Sequence, residues 1–166
     1  LSTSQHIFQG QYQLGDLFPY VFASTAFAVG FATFTNSRFV MRFGAFNMAF
    51  YAAVAYFSIS LLYIVLFSSG NNPPLAVLIG FFLMQFFSVG FLFGNLRSLA
   101  MEPLGHIAGI GAAINGFVST VMAVPIANYI GSFVKTSALP LFVGFSIFGA
   151  LSVATFLFVK YRFRHK

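Results

Sequence analysis

The sequence predicts an all-α transmembrane protein with five spanning helices, and three observations carry that reading. Of its 166 residues, 59% are hydrophobic and only 6% charged, whereas a soluble domain uses about a quarter of its residues as charges to coat its core. The mean hydropathy is +0.91. The few charges are also confined: residues 17–37, 43–96, 107–134 and 136–159 contain no Asp, Glu, Lys or Arg. The apolar residues show no strict alternation, which argues against the period-two strands of a membrane barrel.

A helix needs about 20 apolar residues to cross roughly 30 Å of hydrocarbon. The first window supplies one span at 17–35, with Asp16 as its N-cap and Pro19 in the first turn, where the missing N–H costs nothing. The window 43–96 is long enough for two. The run Ser68, Ser69, Gly70, Asn71, Asn72, Pro73 and Pro74 divides it into spans at 45–67 and 75–96, since Gly and Asn tolerate positive φ and Pro ends a helix. The fourth span is 107–130 and the fifth 139–159, separated by residues 131–138. Residues 1–14 are polar enough for a loop or the end of an earlier helix. The chain begins at Leu1, lacks the pattern of a signal peptide and reads as a fragment of a longer protein. It has no Cys, hence no disulfide and no thiolate metal site.

The net charge of +6 forms no basic face for nucleic acid, because eight basic residues are scattered among 26 Phe. Their position along the chain says more. Arg38, Arg42, Arg97, Lys160, Arg162, Arg164 and Lys166 fall on one side of the membrane and only Lys135 on the other. The positive side is expected to be cytoplasmic, which places the C-terminus inside. The basic tail is then an ordinary anchor for the last helix beside anionic lipid.

Two turns on that side are distinctive. The first holds Asn36, Arg38, Val40, Arg42, Phe43 and Gly44. The second holds Pro103, Gly105, His106, Ala108 and Gly109, and runs into a helix rich in small residues. Together they resemble the C-terminal half of major facilitator superfamily transporters, and in particular the Bcr/CflA drug-resistance branch, with N-x-R-x-V-x-R-F-G in one loop and P-x-G-x-x-A-G in another. Phe8, Gln9, Tyr12 and Leu14, and Thr136 with Leu139 and Pro140, are weaker matches in the same order. The first turn departs from the superfamily's loop motif: Asn36 stands where an acidic residue is usual, and Ala45, Phe46 and Asn47 follow in place of basic ones. The resemblance covers nearly the whole chain. It implies that residues 1–166 are helices eight to twelve of a twelve-helix transporter, an incomplete C-terminal bundle whose N-terminal half is missing, set in a bacterial inner membrane.

The candidate functional residues follow from chemistry and from that resemblance. Polar groups are costly in hydrocarbon and must face other helices or a cavity. Gln85 and Asn115 are the deepest polar side chains, on the two helices that the resemblance places at the substrate cavity, while Asn95 and Asn128 lie near helix ends and read as interfacial. Met84 and Phe81, with Phe82, Phe86 and Phe87, are candidates for an apolar cavity wall. Small residues at Gly90 and Gly94, and at Ala108, Gly109, Ala112 and Gly116, make faces for close helix packing and for sliding during gating. Pro125 is expected to kink the fourth span. Glu102 and His106 are four apart but lack a third metal ligand.

The function so implied is secondary active efflux of small lipophilic compounds by alternating access, with protons as the coupling ion and no cofactor. Asp16 and Glu102 are the only acids, and both are peripheral, so the coupling group is expected outside this chain. An intramembrane enzyme would need titratable groups within its spans, and here all lie near their ends. A sugar or metabolite facilitator of the same superfamily, or a structural subunit without transport, are the remaining alternatives.

Overall fold

The computed structural model describes residues 15–68, 72–134 and 137–163. Among them every regular element is helical. A 3-10 turn, Gly15–Leu17, leads into α1 (Phe18–Phe43), followed by α2 (Ala45–Leu66), α3 (Leu75–Met101), α4 (Ala108–Phe133) and α5 (Leu139–Phe163). A second 3-10 segment, Glu102–Ile107, joins α3 to α4.

Among the described residues, four helical stretches are long and apolar enough to cross a membrane: Gly15–Phe43, Ala45–Leu66, Leu75–Phe133 and Leu139–Arg162. The expected five become four because the loop foreseen near residue 100 is itself helical, so α3 and α4 form one run of 59 residues. That run would reach roughly 90 Å if straight, about three times the hydrocarbon thickness. It is not straight. Leu104 (φ −104°, ψ 16°) and Ile107 (φ −130°, ψ 30°) leave helical dihedrals. Ile130 and Val134, at the far end of α4, return to pack with Leu78, Phe81 and Phe82 near the start of α3.

The surface of this bundle is apolar. Phe27, Phe117, Phe158 and Tyr161 each expose well over half of their area, and apolar residues run all the way round α2 to α5. Lipid solvates such a surface and water does not. The chain is an integral, multi-pass membrane protein.

Inside the bundle, α3 packs along both α1 and α2, and α2 packs along α5; α4 touches α3 and α5 lightly. Because lipid is as apolar as these side chains, contact quality rather than water exclusion holds the helices together. The main cluster joins α2, α3 and α5. Tyr63 stacks on Phe142 at 3.7 Å, and Phe81 meets Tyr63 edge-on at 5.2 Å. Each aromatic pair contributes about 0.5–1.5 kcal/mol beyond simple burial. A second cluster, Phe156 on Ala49, Ala53 and Phe46, closes the other end.

The helix ends correct several expectations. Asp16 does not cap α1. It lies in the preceding 3-10 turn, and Leu17 takes the N-cap position without a side-chain bond. Pro19 does sit in the first turn of α1. That helix runs on to Phe43, α3 to Met101 and α5 to Phe163, past the expected ends at 35, 96 and 159. Arginine is a good helix former, and its long stem lets the charge reach water from a continuing helix, so a charge marks the edge of the hydrocarbon and not the end of the helix. The first distinctive turn therefore shrinks to one residue. Gly44 adopts φ 79°, ψ 149°, a conformation open essentially to glycine alone. Its N–H donates to the Val40 carbonyl at 2.8 Å, and its own carbonyl accepts from the Met48 N–H at 3.1 Å, closing α1 and opening α2.

At the opposite end, the Ala138 N–H donates to Asn72 Oδ1 at 3.2 Å, which fastens the approach to α5 to the approach to α3. All the described Lys and Arg residues lie at the Gly44 end, and four of them cover aromatic rings: Arg38 on Phe34, Arg42 on Phe43, Arg97 on Phe93 and Lys160 on Phe50, at 5.0–5.7 Å. A cation over a ring gains roughly 0.5–1 kcal/mol at exposed sites. Lys135, Arg164 and Lys166 lie outside the described residues, as do Phe8, Gln9, Tyr12, Leu14 and Thr136.

Candidate ligand cavity

Among the described residues, four of the six buried polar side chains form two interhelical sets, while Thr25 and Ser88 bond carbonyls of their own helices. The first joins α1 to α3. Asn36 Nδ2 donates to Asn95 Oδ1 at 3.2 Å, Asn95 Nδ2 donates to Asn36 Oδ1 at 2.8 Å, and Asn95 Nδ2 also reaches the Phe91 carbonyl at 2.8 Å. Both amides are buried. This corrects two expectations: Asn95 is not interfacial, and Asn36 is a helix-packing residue within α1, not part of a loop. The helices can come this close because of Gly90, where an added Cβ would lie 2.6 Å from Ala32 Cβ and 2.8 Å from the Val29 carbonyl oxygen. Gly94 has more room, with Asn36 Nδ2 at 3.6 Å from such a Cβ.

The second set centres on Gln85, which is 1% exposed. Its Nε2 donates to Ser60 Oγ at 2.8 Å and to the Tyr56 carbonyl at 3.3 Å, while the Ser60 hydroxyl donates to that same Tyr56 carbonyl at 2.8 Å. Gln85 Oε1 has no hydrogen-bond partner among the described residues. Beside it lies a cleft of about 470 Å³ between four helices. Its walls are Tyr56 of α2, Phe82, Gln85, Phe86 and Val89 of α3, Ser119, Met122, Ala123, Ile126, Ala127 and Ile130 of α4, and Leu141, Phe145 and Phe148 of α5. Among the described residues, no charged one lines it. Ligand sites are typically of this size and kind, mostly apolar with a few placed polar groups.

The remaining expected site residues are scattered. Phe81 belongs to the main apolar cluster and not to the cleft, since its ring is held between Tyr63, Phe67 and Phe142. Met84 and Phe87 line a different groove of about 610 Å³, bounded by Ser24, Phe27 and Phe31 of α1 and Ile59 of α2. One residue of helix rotation, about 100°, separates Met84 from Gln85 and turns it outward. Asn115 is half-buried and does not line the cleft; its Oδ1 accepts from Ser119 Oγ, which does, at 3.5 Å. On α4, Ala108, Gly109 and Ala112 are exposed, and a Cβ on Gly109 or Gly116 would meet nothing within 4 Å. These small residues therefore pack against no described element, unlike Gly90. Pro103, Gly105 and His106 lie exposed in the 3-10 segment, and Pro125 sits inside α4, where it cannot donate to the Val121 carbonyl.

The chain matches no family model, no curated protein and no solved structure. The cleft's own geometry is thus the basis for a functional reading. Tyr56, Ser60 and Ser119 were not legible as site residues in the sequence, because a serine within an apolar span commonly bonds the carbonyl four residues back, as Ser60 also does here.

Proposed function

We propose that this chain forms part of a secondary transporter of the major facilitator type that exports small lipophilic compounds, with the cleft around Gln85 as part of its substrate path. The cleft carries this reading: it is apolar, large enough for a small molecule, and walled by four helices. In this reading the run from Leu75 to Phe133 crosses the bilayer twice, which gives five spans, and an N-terminal bundle completes the substrate path. Protons would drive the cycle through a group outside this chain, since Asp16 and Glu102 both lie at helix ends. In cells carrying the full-length protein, accumulation of the uncharged dye Nile red is expected to fall several-fold relative to cells without it, and to recover when a protonophore collapses the proton gradient. Equal accumulation in both strains would refute the transport reading.

The same proposal places the Gly44 end in the cytoplasm of a bacterial inner membrane, because Lys and Arg concentrate there. These 166 residues hold no Cys, so an introduced thiol reports alone once any cysteine elsewhere in the full-length protein has been replaced. Ser68→Cys in intact cells is expected to react with an impermeant maleimide, and Glu102→Cys only after the membrane is permeabilised. The reverse pattern would invert the orientation.

A further inference from the structure

We propose that the cleft selects uncharged apolar molecules bearing a hydrogen-bond donor, and that Gln85 Oε1 is the acceptor that reads the donor; this rests on the cleft being a ligand site. The hydrogen bonds around Gln85 fix which way its amide points. The Ser60 hydroxyl spends its proton on the Tyr56 carbonyl, so toward Gln85 it can only accept. The Tyr56 carbonyl accepts as well. Flipping the amide would set its oxygen against two acceptors, so the network favours Oε1 as the unpaired end.

That oxygen is buried and has no donor among the described residues, on a side chain that lines the cleft. A buried acceptor left unpaired carries its full desolvation penalty. A ligand that brings an O–H or N–H cancels that cost, and one that does not leaves it standing. Charge is disfavoured for a separate reason. The described lining residues include no Asp, Glu, Lys, Arg or His, so an ion would lose its hydration and gain no counter-charge from them. Alcohols, phenols and neutral amides attached to an apolar body satisfy both conditions.

The test compares three probes of one ring system on the purified full-length protein in nanodiscs, each corrected for partition into empty nanodiscs. They are 1-naphthol, its methyl ether 1-methoxynaphthalene, and the 1-naphthyltrimethylammonium ion. The expected result is that 1-naphthol binds about 5–30-fold more tightly than the ether, the equivalent of one hydrogen bond to a buried acceptor, and that the ammonium ion binds weakest. Gln85→Leu should bring the naphthol-to-ether ratio to about one. The wild-type comparison needs no substitution, so a variant that fails to fold does not remove the test. Saturable but equal binding of the two neutral probes by the wild type would overturn the donor reading and leave the cleft as a ligand site. Tight binding of the ammonium ion would overturn the exclusion of charge. Saturable binding of none of the three would overturn the cleft itself, and with it the basis of the proposed function.

Discussion

Gly90→Ala is expected to destabilise the folded bundle by about 2–3 kcal/mol, even though alanine is the better helix former by roughly 1 kcal/mol. The added methyl would sit 2.6 Å from Ala32 Cβ and 2.8 Å from the Val29 carbonyl oxygen. Neither neighbour has a rotamer to change: one is a methyl fixed to the backbone and the other is backbone. Relief therefore requires α1 to move away from α3 along its length, and Ala32, which is fully buried there, loses contacts that lipid fills poorly. Two other glycines on α3 serve as internal controls. A methyl on Gly80 meets nothing within 4 Å, and one on Gly94 makes ordinary contact at 3.6 Å, so Gly80→Ala and Gly94→Ala should be neutral or slightly stabilising. The measurement is the thermal unfolding midpoint in one detergent, followed by loss of the monodisperse peak on size exclusion. At about 2–4 °C per kcal/mol for a chain of this size, Gly90→Ala should fall several degrees below the other two. Three equal midpoints would mean that α1 and α3 do not approach as closely as described.

Asn95→Leu should cost about 1–3 kcal/mol, and Asn36→Leu a similar amount, while the double replacement costs less than the sum. Each single change strands the other amide in an apolar interface with its donors and acceptor unmade, and that penalty exceeds the net worth of the bonds. Removing both partners removes the polar groups that need satisfying. Interhelical hydrogen bonds in membranes show coupling of about 0.6 kcal/mol on average, with values to about 1.7. The reciprocal pair at 3.2 and 2.8 Å should lie at the upper end, because two bonds are lost together. A double-mutant cycle on unfolding midpoints reads the coupling directly. Strict additivity would mean that the two amides act independently.

Both predictions concern an interface that was only half legible in the sequence. Gly90 and Gly94, four apart on one apolar helix, marked a close-packing face before any partner was known, and α1 fills it. The identical argument applied to Ala108, Ala112 and Gly116 found a face without a described partner, because spacing says that a surface is smooth and nothing about what covers it. Charge-free windows located every helix yet misjudged where α1, α3 and α5 stop, since hydropathy senses the hydrocarbon boundary while the backbone can stay helical beyond it. Gln85 was legible as a costly polar group that needed a reason. Its partners were not, because Tyr56 contributes a carbonyl, which every residue has, and Ser60 is an unremarkable residue within a span. Asn95 was misread because nearness to the charged end suggested water, whereas the facing helix supplied Asn36.

The junction at Gly44 has a mechanical consequence. A loop of several residues between two rods absorbs their relative motion as slack, but here α1 ends and α2 begins at a single residue. The two rods share one pivot with two torsions, and the hydrogen bonds to the Val40 carbonyl and from the Met48 N–H hold the backbone on either side of it. A tilt of α2 relative to α1 is therefore a rotation about the φ and ψ of that single glycine, with α2 as the arm. Tyr56 and Ser60 ride on α2 about three to four turns from the pivot, and they hold the amide of Gln85 in its orientation. The cationic end of the bundle and the oxygen at the cleft thus belong to one lever arm.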